Sequence, residues 1–151
     1  MSTAAHLDNI ADVAVSPSGD FVATTSEDET VRIWRSEDLT QVAEFDAFEG
    51  ATTSAEYATE DILLVGDERG HILAIDTANN TILYQTSMHH SRVNAISTVT
   101  DPQHAFALSS AGDVVISVST NGSIAFSDLA TGTVVRTMQL VGSKYSINDS
   151  A

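Results

Sequence analysis

The stretch Val13-Ala14-Val15-Ser16-Pro17-Ser18-Gly19-Asp20-Phe21-Val22-Ala23-Thr24-Thr25-Ser26-Glu27-Asp28-Glu29-Thr30-Val31-Arg32-Ile33-Trp34 alternates short apolar runs with turn residues. Ile10, Val13 and Val15 mark a short strand, and Ser16 to Asp20 is a turn, because Pro17 fixes φ and Gly19 admits the left-handed region. Residues 21–25 are β-branched and aromatic enough to form a second strand. Glu27-Asp28-Glu29 breaks it, and 31–34 form a third. A polar turn at 36–38 then leads into a fourth at 42–45. The turns fall too close together for a helix, so the segment is an antiparallel meander.

The pattern recurs. Asp28 to Arg35, Arg69 to Asp76 and Asn121 to Asp128 align without a gap, at offsets of 41 and 52 residues. Thr40-Gln41-Val42, Thr81-Ile82-Leu83 and Thr133-Val134-Val135 continue the same register. The second repeat supplies strands at 53–57, 62–65, 72–75 and 82–85, and the third at 93–98, 114–118, 124–127 and 134–138. The longer offset predicts an insertion around 101–112, punctuated by Pro102 and Gly112. The run Ile62-Leu63-Leu64-Val65 does not alternate and is expected to be covered on both faces.

Composition sets limits on function. A chain of 151 residues holds about one domain, and 42% hydrophobic residues suffice for a core. With 21 Asp plus Glu against 6 Lys plus Arg the formal charge is −15, which repels phosphates and disfavours nucleic acid. The absence of cysteine removes disulfides, thiolate nucleophiles and cysteine zinc sites together. The N-terminus lacks a signal-peptide pattern and no apolar run is long enough to span a bilayer, so a cytoplasmic or nuclear location without membrane contact is expected. The acidity fits either adaptation to high salt or attraction of basic partner segments.

These residues resemble the WD-repeat β-propellers. The quoted stretch is a nearly unbroken copy of that family's consensus, in which a His, a Ser or Thr, an Asp and a Trp are linked by hydrogen bonds. His6, Thr24, Asp28 and Trp34 occupy the matching positions and are expected to form this structural tetrad. The chemistry suits it: the indole only donates, the hydroxyl does both, the imidazole one at each nitrogen, and the carboxylate accepts. In the second repeat Phe48, Val65, Arg69 and Ile75 fill the four columns, an apolar replacement apart from Arg69. In the third they are His89, Ser117, Asn121 and Ser127, polar but without the indole. The resemblance implies an all-β fold of three four-stranded antiparallel blades forming an incomplete propeller or arc. It makes 1–151 one partial domain: blade 1 at about 6–46, blade 2 at about 48–88, blade 3 at about 89–140 and a tail at 141–151. Within that tail, 141–147 is expected to be the first strand of a further blade.

The function implied is a non-enzymatic protein–protein interaction scaffold, a subunit or fragment of a larger assembly. The alternative is a self-assembling arc that closes a propeller by homo-oligomerisation. Partners are proteins or peptides, basic segments among them. His6, Thr24 and Asp28 form no catalytic triad on this reading. His89-His90 form no metal site, because adjacent strand residues point to opposite sides. No cofactor is expected. Asp67, Glu68 and Arg69 read as a solvated turn. In the family, partners commonly bind the loops before each first strand and the turns between second and third strands. Here that places candidate contacts at Asp8, Asn9, Glu27 and Glu29, at Phe48, Glu49 and Glu68, and at His90, Arg92 and Thr120. Phe48 is the preferred apolar anchor, with a buried structural role as the open alternative.

Overall fold

The computed structural model describes residues 5–46, 48–99, 113–141 and 144–148, and among them the chain forms thirteen β-strands and no helix. The insertion expected around 101–112 lies outside the described residues. The first antiparallel sheet orders β1 (Ile10–Val15), β2 (Phe21–Ser26), β3 (Val31–Arg35) and β4 (Gln41–Phe45) side by side. The second repeats this with β5 (Thr52–Tyr57), β6 (Ile62–Asp67), β7 (His71–Asp76) and β8 (Thr81–Ser87). The third comprises β9 (Val93–Val99), β10 (Val114–Ser119), β11 (Ser123–Asp128), β12 (Val134–Val141) and a fifth strand, β13 (Lys144–Asn148). None closes into a barrel. The sheets are consecutive blades of an arc, with first strand packing on first strand: β1 on β5 and β5 on β9.

β13 departs from the sequence expectation. Residues 144–148 do not open a new blade but fold back on β12, pairing from Val141↔Lys144 to Thr137↔Asn148. Without β13, β12 would end the sheet with unpaired backbone groups, and a strand that begins so few residues further along the chain pairs with them at little loop-closure cost.

Two cores fill the spaces between blades, and strand alternation sorts blade 2 between them. Tyr57↔Leu63, Leu63↔Ile75, Val65↔Leu73 and Ala55↔Val65 are cross-strand pairs on one face, packed against Ala14, Ala23, Ile33 and Phe45 of blade 1. Leu64, Ile72 and Ala74 lie on the other face, against Val93, Ile96, Val115 and Ala125 of blade 3. Leu63, Leu64 and Val65 are each 0% exposed, which is why the run at 62–65 does not alternate: both its faces are interior. Each such side chain contributes roughly 1.5–3 kcal/mol of transfer free energy.

Adjacent threonines pin the blades together. Thr52 points toward blade 1, where its Oγ1 accepts from Ser26 N at 2.8 Å and faces Ser26 O and Thr30 O, each at 3.0 Å. Thr53 points the other way and donates to Val93 O of blade 3 at 2.6 Å. Asp12 Oδ2 accepts from Ala55 N at 3.0 Å. Glu60 takes Ser18 N and Ser18 Oγ at 2.8 and 2.6 Å. The Ser18 hydroxyl, and after it the Ser18 backbone N–H, hold its carboxyl below the ordinary value.

Candidate functional site

Antiparallel order brings the start of each blade's first strand and the turn between its second and third strands to the same end of the arc. Four sequence-predicted contact residues meet there. Glu27 and Glu29 of blade 1, Glu68 of blade 2 and Arg92 before β9 line a hollow of about 280 Å³ with Ala51, Thr52 and Thr53. Three carboxylates and one guanidinium surround it. Asn9 Nδ2 donates to Glu27 Oε2 at 3.0 Å, and Asp8 Oδ1 accepts from Asn9 N at 2.8 Å, which sets both beside the rim. Glu49 faces Arg69 Nη1 at 3.5 Å, with both side chains solvated. His90 is exposed, and Thr120 bonds Ser91 at 2.7 Å.

Phe48 is not where an anchor would be. It is 7% exposed and belongs to the core between blades 1 and 2. The ring replaces, in the same column, the histidine of the other repeats, and packs inward with Val65 and Ile75.

Glu29 has φ of 68°, a left-handed conformation that is unfavourable for a residue with a Cβ. The aligned positions in the other repeats are Gly70 and Gly122, at φ of 93° and 80°. Where its sister turns use glycine, blade 1 carries a carboxylate that lines the hollow.

On the face of blade 1 turned away from blade 2, Trp34 Nε1 donates to Thr24 Oγ1 at 2.9 Å, and Thr24 Oγ1 lies 2.7 Å from His6 Nε2. His6 Nδ1 lies 2.9 Å from Asp28 Oδ2. One proton arrangement satisfies all four groups: indole to hydroxyl, hydroxyl to Nε2, Nδ1–H to carboxylate. Asp28 also accepts from Leu7 N, Thr30 N and the Thr30 hydroxyl, the last at 2.6 Å. Burial acts to raise the Asp28 carboxyl, but these bonds and that to His6 outweigh it and hold the group well below the carboxylate range. The order carboxylate, imidazole, hydroxyl imitates a nucleophilic triad. Thr24, however, is 9% exposed, and the indole N–H takes one of the two lone pairs of its oxygen, which lowers the nucleophilicity an attacking oxygen would need.

The other columns diverge. In blade 3 His89 Nε2 meets Ser117 Oγ at 2.8 Å, while Nδ1 meets Ser123 Oγ at 2.6 Å and not Asn121. Asn121 Oδ1 instead accepts from Ser123 N at 3.0 Å. Burial, then the nearby His90, holds the His89 imidazole below its ordinary value. The buried Ser127 hydroxyl has no partner among the described residues. In blade 2 Asp67 is 0% exposed and not a solvated turn residue. Its carboxylate accepts from Arg69 N and His71 N, each at 2.9 Å, and meets His71 Nδ1 at 2.8 Å. Buried carboxylates survive only when paired. The sequence held a signal for this: Thr30, His71 and Ser123 share one column, and each hydrogen-bonds into its blade's polar network. Among the described residues no group of three or more His, Asp and Glu could hold a metal ion. No helix there is long and apolar enough to cross a membrane.

Over residues 1–35 the sequence matches the family model described as WD domain, G-beta repeat. The matched segment runs to the end of β3 and includes His6, Thr24, Asp28 and Trp34. Among curated proteins none matches the chain. The match and the three similarly built antiparallel sheets point to a repeat architecture of blades.

Proposed function

We propose that this chain is a non-enzymatic interaction scaffold of WD-repeat type, and that the hollow between its blades receives a lysine or arginine side chain from a basic partner segment. The observation that carries this reading is the convergence of Glu27, Glu29, Glu68 and Arg92, from all three blades, on one concavity. A rigid all-β frame presents these carboxylates without further ordering, which keeps the entropy cost of binding low. The left-handed Glu29 supports it, since strain at a residue facing a concavity is a mark of function. The formal charge of −15 would steer basic segments toward the arc. His6, Thr24, Asp28 and Trp34 serve on this reading as a structural tetrad. Asp8, Asn9, Glu49 and His90 form the rim.

Fluorescence anisotropy of a labelled oligo-arginine peptide tests the proposal. The chain carrying Glu27→Gln, Glu29→Gln and Glu68→Gln should bind at least tenfold more weakly than the parent. A control with Asp20→Asn, Glu37→Gln and Asp46→Asn, neutralised at exposed positions outside the hollow, should lose far less. Equal losses would mean that net charge alone attracts the peptide, and the assignment of the hollow would fall.

A further inference from the structure

The spaces between blades 1 and 2 and between blades 2 and 3 are built from the same columns and filled differently. Three backbone bonds fix the correspondence: Ser36 N donates to Asp20 O at 2.9 Å, Thr77 N to Asp61 O at 2.8 Å and Leu129 N to Asp113 O at 3.0 Å. Each of these donors follows its blade's third strand, at the end of the arc opposite the acidic hollow. Between blades 2 and 3 the position is taken by Leu129, which is 6% exposed and belongs to the core there, with Ile62 and Tyr84 packed against that core. The Tyr84 ring closes so tightly on the following turn that a Cβ on Gly132 would fall 2.5 Å from Tyr84 Cδ2. A cleft of about 200 Å³ remains beside Leu129.

Between blades 1 and 2 both large side chains are missing. Thr77 stands in the column of Leu129, Ala43 in that of Tyr84 and Asn80 in that of Gly132. Ile33 in place of Ala74 makes up only part of the loss. What remains is a hollow of about 410 Å³ whose apolar lining is Phe21, Ile33, Val42, Ala43 and Ala78, within the ~300–1,000 Å³ of apolar ligand sites. Its rim is charged. Arg35 on the blade 1 side already faces Asp38 at 3.8 Å, whereas Glu60 and the exposed Asp61 line the blade 2 side, so an incoming group meets net negative charge.

We propose that this hollow is the docking site for a leucine side chain of a partner peptide in which lysine or arginine flanks the leucine. The chain itself shows the group that suits the position, since Leu129 fills the equivalent one between blades 2 and 3. The rim carboxylates of Glu60 and Asp61 complement the flanking cations and set the register of the peptide. The site goes beyond the acidic hollow because it lies at the opposite end of the arc and requires an apolar residue.

Fluorescence anisotropy with two labelled peptides, one carrying a leucine between two lysines and the other an alanine in its place, tests this. The parent should bind the leucine peptide about tenfold more tightly, as the burial of about two further methylene groups provides. Thr77→Leu supplies from within the chain the side chain that blade 3 already carries, and Val42→Lys places a cation at a lining residue that is 40% exposed. Both should keep the parent's circular dichroism and lose the preference for leucine. The chain with Glu27→Gln, Glu29→Gln and Glu68→Gln should retain it, which separates this site from the acidic hollow. A parent that binds both peptides equally, or neither, would overturn the proposal, as would a leucine preference that survives in Thr77→Leu or in Val42→Lys. So would a parent that sediments as a dimer which Val42→Lys dissolves, since the hollow would then hold a second copy.

Discussion

Replacing Thr24 with valine keeps the side chain's size and removes the one oxygen shared by Trp34 and His6. Two hydrogen bonds are lost, at 2.9 and 2.7 Å, each with a net worth of about 0.5–1.5 kcal/mol. The groups left behind differ. Trp34 is only half-buried, so its N–H can turn to water. The His6 side chain is 2% exposed, and its Nε2 would lose its donor in a dry site at about 1–3 kcal/mol. Thr24→Val should therefore destabilise by about 2–3 kcal/mol, and Trp34→Phe by about 1 kcal/mol through the hydrogen bond. The double variant supplies the sharper test. Once Thr24 is valine the indole has no intrinsic partner to lose, so the two effects should fall short of additivity by about 1 kcal/mol, well outside the ~0.3–0.5 kcal/mol expected of independent sites. Urea denaturation followed by circular dichroism serves all four proteins, because Trp34 is the sole tryptophan and its fluorescence disappears with it. Additive losses, or a Thr24→Val chain as stable as the parent, would refute the relay as an energetic unit.

The Tyr57 hydroxyl is buried without a partner among the described residues, and burial, aided by the charge of Glu60, pushes its pKa up to about 12. Tyr57→Phe should be neutral or stabilise by up to about 1 kcal/mol in urea melts. A Cβ on Gly66 would fall 2.6 Å from Ser54 Oγ and 2.7 Å from Val93 Cβ, so Gly66→Ala should cost about 1–3 kcal/mol by forcing blades 2 and 3 apart. His89 is held below its ordinary value of 6.5. The fold therefore favours the neutral ring, and its contribution is complete above about pH 6.5 and lost as acid protonates the unfolded chain preferentially. Urea midpoints from pH 7.5 down to 5 should fall less steeply in His89→Gln than in the parent. Glu29→Gly should leave stability unchanged or raise it by up to about 1 kcal/mol, as left-handed strain is relieved against added chain entropy, while weakening oligo-arginine binding in the anisotropy assay. A clear loss of stability would show that the Glu29 side chain holds the turn.

Sequence patterning specifies local structure. Alternation, β-branched content and the turn chemistry of Pro17 and Gly19 mark strands because they act within a few residues, and the aligned columns place equivalent residues of each blade on equivalent faces. The unbroken apolar run at 62–65 announced a blade buried on both sides, since only an interior strand can dispense with a polar face. Tertiary structure decided which chemically ambiguous side chains are buried. Phe48 was legible as aromatic but undecided between anchor and core, because what covers it arrives from blade 1. Asp67 looked like any acidic turn residue until His71 and two backbone N–H groups closed around it. Thr52 and Thr53 are ordinary strand formers in the sequence and become staples only because blades lie on both sides. Glu27 and Glu29 share one turn, but Glu68 and Arg92 are far from it in the chain, and their meeting in one hollow depends on how successive sheets pack. β13 pairs with β12 because an unpaired edge lay close by along the chain, a preference that strand periodicity does not record.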